Sequence, residues 1–123
     1  MIPVKNEGVL LKPSKHLFDN SAVLNPTCYK KGNNVHMFYR AVSKKGISSI
    51  GFCKLNGPME IIQRSDNPIL YTEYDYEKKG LEDPRITYIN GIYYIFYTVY
   101  DGKNTRVAYA TSKNCKNFKN KIN

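Results

Sequence analysis

The chain repeats itself, and that repeat limits its possible folds more than any other feature. Asn25-Pro26-Thr27-Cys28-Tyr29 superimposes on Asp83-Pro84-Arg85-Ile86-Thr87 at an offset of 58 residues, and the same offset carries Phe38-Tyr39-Arg40 onto Phe96-Tyr97-Thr98. After one residue of slip, Ile50-Gly51-Phe52-Cys53 falls on Val107-Ala108-Tyr109-Ala110. Two unrelated strand sets do not keep register through a proline and a Phe-Tyr pair. Such self-similarity marks one supersecondary unit used twice.

Each unit reads as consecutive short strands separated by turn residues. The first holds strands over 22–29, 35–42 and 48–55, with 60–64 as a fourth, and turns at Lys31-Gly32-Asn33-Asn34, Lys44-Lys45-Gly46 and Asn56-Gly57-Pro58. The second holds strands over 82–89, 92–100 and 105–112, joined at Asn90-Gly91 and Asp101-Gly102. Asn-Gly and Asp-Gly are strong hairpin signals. Antiparallel units of four strands in tandem describe propeller blades. The fold expected is therefore all-β: a partial propeller in one domain over 1–123, with blade one about 20–65, a connection over 65–80, and an incomplete blade two about 81–123. A sandwich or barrel would explain the strands but not the repeat.

Composition narrows the function classes. Eleven tyrosines among 13% aromatics favour strands. Only the short polar run 74–79 hints at a helix, and it is too brief to nucleate one alone. The opening Met1-Ile2-Pro3-Val4-Lys5 has no apolar leader core, and no run approaches the roughly 18 apolar residues of a membrane span. A cytoplasmic location is expected, with no membrane partner. Cys28, Cys53 and Cys115 are odd in number and lack CxxC spacing, which argues against a disulfide framework or zinc site. Cys28 and Cys53 read as core residues. His36 reads as a packing residue, His16 as a loop residue, and no metal is expected. The formal charge is +9, but 15 of the 19 basic residues are Lys, spread over turns and the run 113–123, whose end is expected to fray. That pattern describes a solvated surface and not a nucleic-acid interface.

The repeat also points to a site. Equivalent positions on the innermost strands of a propeller converge on the central funnel. Asn25 and Asp83 are equivalent, as are Arg40 and Thr98. Asn25, Arg40 and Asp83 break otherwise apolar patterns, and burying such groups without partners costs about 1–3 kcal/mol each. They must bond to one another or serve a ligand.

The run Gly80-Leu81-Glu82-Asp83-Pro84-Arg85-Ile86 resembles glycoside hydrolase family 130, the mannoside phosphorylases and related β-mannosidases. Leu24-Asn25-Pro26, Met37-Phe38-Tyr39-Arg40-Ala41, Ser49-Ile50-Gly51, Tyr93-Tyr94-Ile95-Phe96-Tyr97-Thr98 and Ala108-Tyr109-Ala110-Thr111-Ser112 extend the resemblance over roughly residues 23–118. It implies a five-bladed propeller, of which this chain is the N-terminal portion. It also implies a catalytic acid at Asp83, acting through a hydroxyl of the bound sugar, and sugar contacts from Asn25 and Arg40.

The chemistry of those residue types is consistent with this. Glycosidic cleavage needs an acid to protonate the departing oxygen. Inverting hydrolysis adds a second carboxylate to activate water. Phosphorolysis needs an anion site instead, with inorganic phosphate as co-substrate and no cofactor. Pro84 fixes φ and removes a donor next to Asp83. Amide and guanidinium groups suit vicinal hydroxyls. The other readings are a turn or capping role for Asp83 and an inter-blade salt bridge for Arg40. Glu82, expected on the opposite strand face, and Arg85 are candidate substrate contacts or members of a structural ion pair between blades, Glu82 pairing with Arg85 or with a neighbouring blade. Tyr74, Asp75 and Tyr76 either rim the funnel or form a plain loop.

Five blades need about 290 residues at this period. The chain is therefore expected to act on β-mannosides by inverting phosphorolysis or hydrolysis only as part of a larger assembly, and to be inactive alone. The alternatives are a non-catalytic glycan-binding remnant and a Lys-rich interaction module. Two open apolar faces predict self-association or a partner supplying the missing blades.

Overall fold

A computed structural model of the chain describes residues 1–122. Eight strands follow one another: β1 (Ala22–Lys31), β2 (Asn34–Val42), β3 (Ser48–Asn56), β4 (Glu60–Arg64), β5 (Gly80–Ile89), β6 (Ile92–Tyr100), β7 (Thr105–Ser112) and β8 (Lys119–Ile122). A 3₁₀ turn, Asp75–Glu77, is all that the polar run 74–79 forms. Strands β1 to β4 make one antiparallel meander and β5 to β8 a second. Backbone pairing joins the two at one parallel contact, Ser48 to Gly80. The chain is thus about two four-stranded blades of a propeller.

Strand β6 shows why these residues form strands. Tyr93, Ile95, Tyr97 and Val99 are buried, while Ile92, Tyr94, Phe96, Thr98 and Tyr100 are half-buried or exposed. This is the period of two that one covered sheet face requires. At the β5–β6 hairpin Asn90 and Gly91 both take positive φ, 50° and 82°, as a tight primed turn demands. The Asp101-Gly102 signal opens a four-residue loop instead, because the Asp101 carboxylate accepts the backbone N–H groups of Lys103 (2.8 Å) and Asn104 (2.6 Å). These bonds also hold its pKa below the usual carboxylate range.

The main core lies between the blades. Phe38, Ile50 and Phe52 of blade one meet Leu81, Tyr93, Ile95, Tyr97 and Val99 of blade two, with Leu70 and Cys115 closing the layer. Phe118 adds an edge-on contact to Phe38 at 5.5 Å. A smaller cluster of Met37, Cys53 and Leu55 on the other face of blade one lies under Leu10 and Leu11.

Four expectations are corrected here. The basic run 113–123 does not simply fray: Lys119–Ile122 pairs with β7 as the fourth strand of blade two, and only the last residue lies outside the described ones. Lys121 is not a solvated lysine, since its side chain is 6% exposed and ion-paired. Cys28 is exposed, because the N-terminal cover reaches Met37, Cys53 and Leu55 on β2 and β3 and leaves the inner strand open. Among the described residues the apolar face of Phe96 and Val107 is uncovered, while the N-terminal segment lies over β2 and β3 on the other open face. Cys53 and His36 are buried.

Candidate functional site

Both innermost strands carry the same defect. In β1 the register jumps between Leu24 and Thr27, and in β5 between Glu82 and Arg85. Two residues therefore bulge opposite one: Asn25-Pro26 opposite Tyr39, and Asp83-Pro84 opposite Tyr97. Asn25 has φ 50° and Asp83 φ 52°. Bulges of this kind want glycine at that position, and Asn and Asp are the side chains that tolerate it best. The bulged segment leaves the hydrogen-bond ladder, so the missing N–H of Pro26 or Pro84 removes no ladder bond. The bulge re-aims each side chain out of the strand's normal alternation.

The two re-aimed side chains meet. Asn25 Nδ2 donates to Asp83 Oδ1 at 2.7 Å across the blade boundary. Arg40 lies beside them on β2. Its Nε donates to Ser48 Oγ at 2.9 Å, its Nη2 to Glu82 Oε1 at 3.0 Å, and its Nη1 stands 3.9 Å from Asp83 Oδ1. The Asp83 side chain is 43% exposed, against 24% for Arg40 and 22% for Glu82. The carboxyl thus faces solvent, as does Asn25, while Arg40 and Glu82 are largely enclosed. The backbone of β5 is tied to β1 nearby, where Ile86 N–H donates to Thr27 Oγ1 at 3.3 Å. The arrangement offers one accessible carboxyl, a neutral amide donor bonded to it, and a guanidinium fixed by a serine and a second carboxylate. Such a group can donate a proton and hold adjacent hydroxyls.

Four of the five expected site residues come together: Asn25, Arg40, Glu82 and Asp83. Arg85 does not. Its Nη1 turns back to the carbonyl oxygen of Pro84 at 2.7 Å, and it sits opposite Phe96 on the uncovered face of blade two. Glu82 pairs with Arg40, and not with Arg85. Simple alternation would put Glu82 and Asp83 on opposite faces, but the bulge at Asp83 lets both approach Arg40. Arg40 therefore forms an inter-blade salt bridge beside the Asp83 carboxyl. Tyr74 and Tyr76 stack on each other at 5.4 Å, and Lys121 of the outermost strand lies over Tyr74 at 5.5 Å. This places that loop against the blade's outer strand. Sequence reasoning missed Ser48, which orients Arg40, and the buried acids Asp19 and Glu77. Extending the 58-residue offset upstream would have paired these two acids.

The family model for glycoside hydrolase family 130, described as beta-1,4-mannooligosaccharide phosphorylase, matches residues 7–122. A beta-1,2-mannobiose phosphorylase of Thermoanaerobacter sp. (strain X514) is 32% identical, covering 94% of this chain and 43% of that protein. A 1,2-beta-oligomannan phosphorylase of the same organism is 31% identical, covering 90% and 40%. The crystal structure of a glycosyl hydrolase from Bacteroides ovatus superimposes with a TM-score of 0.84 at 24% identity, over 94% of this chain and 39% of that one. The chain spans about two fifths of the length of the curated relatives it matches. On the match over residues 7–122, with its Glu-Asp-Pro-Arg run at the inner-strand bulge, the chain belongs to glycoside hydrolase family 130.

Proposed function

We propose that this chain supplies the proton donor and part of the sugar subsite of a β-mannoside-cleaving propeller that works by inverting phosphorolysis or hydrolysis. Asp83 is the acid. Asn25 and Arg40 hold hydroxyls of the sugar at the bond to be cleaved, and Glu82 fixes Arg40. The observation that carries this reading is the Asn25–Asp83 bond across two blades, with Arg40 alongside. Proton donation by a positioned carboxyl contributes typically 10²–10⁴-fold to such a reaction. The two relatives named above act with phosphate on β-1,2-linked mannosides, as their names state. The same substrate class is proposed here, with inorganic phosphate as co-substrate and no organic cofactor. The place where phosphate or the attacking water docks is assigned to blades beyond these two.

Two measurements test this. Titrating the labelled chain with β-1,2-mannobiose should shift the Asn25 carboxamide and the backbone resonances of Arg40 and Asp83, and Asp83→Asn should weaken that response. A flat titration sinks the sugar subsite. Incubating the 123-residue chain with the disaccharide and phosphate should release no mannose 1-phosphate. Turnover would show that two blades suffice and overturn the half-site reading.

A further inference from the structure

The repeat extends to residues outside the site. Asp19 and Glu77 are separated by the same 58 residues as Asn25 and Asp83, and both are fully buried acids just ahead of an inner strand. Tyr39 and Tyr97 match at that offset, and Arg64 matches Lys121 with the one-residue slip of the later strands. The acid–cation contact matches too. In blade one, Asp19 Oδ2 accepts Arg64 Nη2 at 2.7 Å and the Tyr39 hydroxyl at 3.1 Å, while its Oδ1 accepts the Ser14 hydroxyl. In blade two, Glu77 Oε1 accepts Lys121 Nζ at 2.7 Å and the backbone N–H groups of Glu73 (2.9 Å) and Tyr74 (3.2 Å). Lys121 also reaches Glu73 Oε2 at 2.9 Å and the Tyr71 carbonyl at 2.7 Å. In each blade the acid lies on the approach to the innermost strand and the cation on the outermost strand.

The tyrosine contact is absent from the second copy, and a single methyl group accounts for that difference. Tyr39 lies over Gly51, where an added Cβ would come within 2.3 Å of Tyr39 Cζ. The matching position opposite Tyr97 is Ala108. The Tyr97 ring cannot settle as the Tyr39 ring does. Its hydroxyl and Glu77 Oε2 are each buried without a hydrogen-bond partner among the described residues.

We infer that Asp19–Tyr39–Arg64 and Glu77–Tyr97–Lys121 are one repeated clasp whose members are positioning residues for the site. Each acid precedes its bulged side chain by six residues: Asp19 precedes Asn25, and Glu77 precedes Asp83. Anchoring that acid to the outermost strand fixes where the inner strand begins and hence where the amide or the carboxyl points. Tyr39 adds a direct link, because its chain neighbour Arg40 lies on the opposite face of β2 and holds Glu82. The inference builds on the inter-blade geometry and is independent of which ligand the site takes.

The test uses the sugar-free, isotope-labelled chain, so its failure is separate from any failure of mannoside binding. Lys121→Met leaves Glu77 buried without its cation and should lower the folding equilibrium constant about a hundredfold, and adding Glu77→Gln should return most of that loss. In the folded fraction of the single variant the Asn25 carboxamide and Asp83 carboxyl resonances should move away from their wild-type positions, and Lys121→Arg should restore them. If Lys121→Met fails to fold, Tyr39→Phe removes only a hydroxyl and should displace the same resonances. Stability losses with both sets of resonances unmoved would reduce the clasp to a structural tie and overturn the positioning role.

Discussion

Asn25 and Asp83 hold backbone conformations that few side chains accept, and each is followed by a proline that further narrows its choices. Strain of this kind persists only where the surroundings over-determine it, and it gathers at functional sites. Here the restraints are the bond between the two side chains and Arg40 beside them. The sequence showed that Asn-Pro and Asp-Pro are equivalent, because offset alone reveals that. It did not show the bulge, since nothing in a period-two pattern marks where one extra residue enters. The expectation that Glu82 stands on the face opposite Asp83 fails through that single omission, whereas its pairing with the neighbouring blade holds. His36 supports a pH prediction at this scale. Burial and the nearby charges of Lys31 and Lys54 push its pKa below the usual value. The unfolded chain takes up a proton near pH 6.5, whereas the folded chain resists it until lower pH. Stability should therefore hold above about pH 6.5 and fall as the pH drops toward the lowered folded value. Urea midpoints on either side of that window should show the fall, and His36→Gln should flatten it.

Among the elements, the strands with period-two burial were the most legible. The expected limits 60–64, 92–100 and 105–112 coincide with β4, β6 and β7. Strand β8 was hidden because Lys119, Asn120 and Lys121 read as a solvated tail, and only its pairing with β7 and the burial of Lys121 explain it. Cys115 was unassigned for a similar reason: it stands in a polar stretch, yet at φ 61° it turns into the core, where burial lifts its thiol to about 11. Between β2 and β3 the decisive contact is Tyr39 over Gly51. Gly51→Ala should cost about 1–3 kcal/mol by overpacking. The converse change, Ala108→Gly, opens the same space beside Tyr97 and should cost no more than the usual strand glycine penalty of about 0.5–1 kcal/mol. Chemical denaturation of both variants checks the asymmetry. Equal losses would mean that the ring does not rest on the backbone there.

For the whole molecule, the repeat explains what each blade face requires. Phe38, Ile50 and Phe52 of blade one are buried against blade two, while their equivalents Phe96, Val107 and Tyr109 lie on an uncovered face, with Phe96 38% and Val107 69% exposed. The same pattern that is satisfied once is left open once, and a further blade is its natural cover. The isolated chain should associate through this face, and Phe96→Lys with Val107→Lys should yield a monodisperse monomer in sedimentation. An already monomeric parent would contradict that. On blade one's outer face the segment around Leu10, Leu11 and Asp19 already lies over β2 and β3. The 2.7 Å contact between the two bulges also restricts which residues can stand there. A twofold copy of one motif has been brought nose to nose, and identical acids at that separation would have to share a single proton. Asparagine at 25 spares its counterpart this competition, so the pair works only because the copies are unlike.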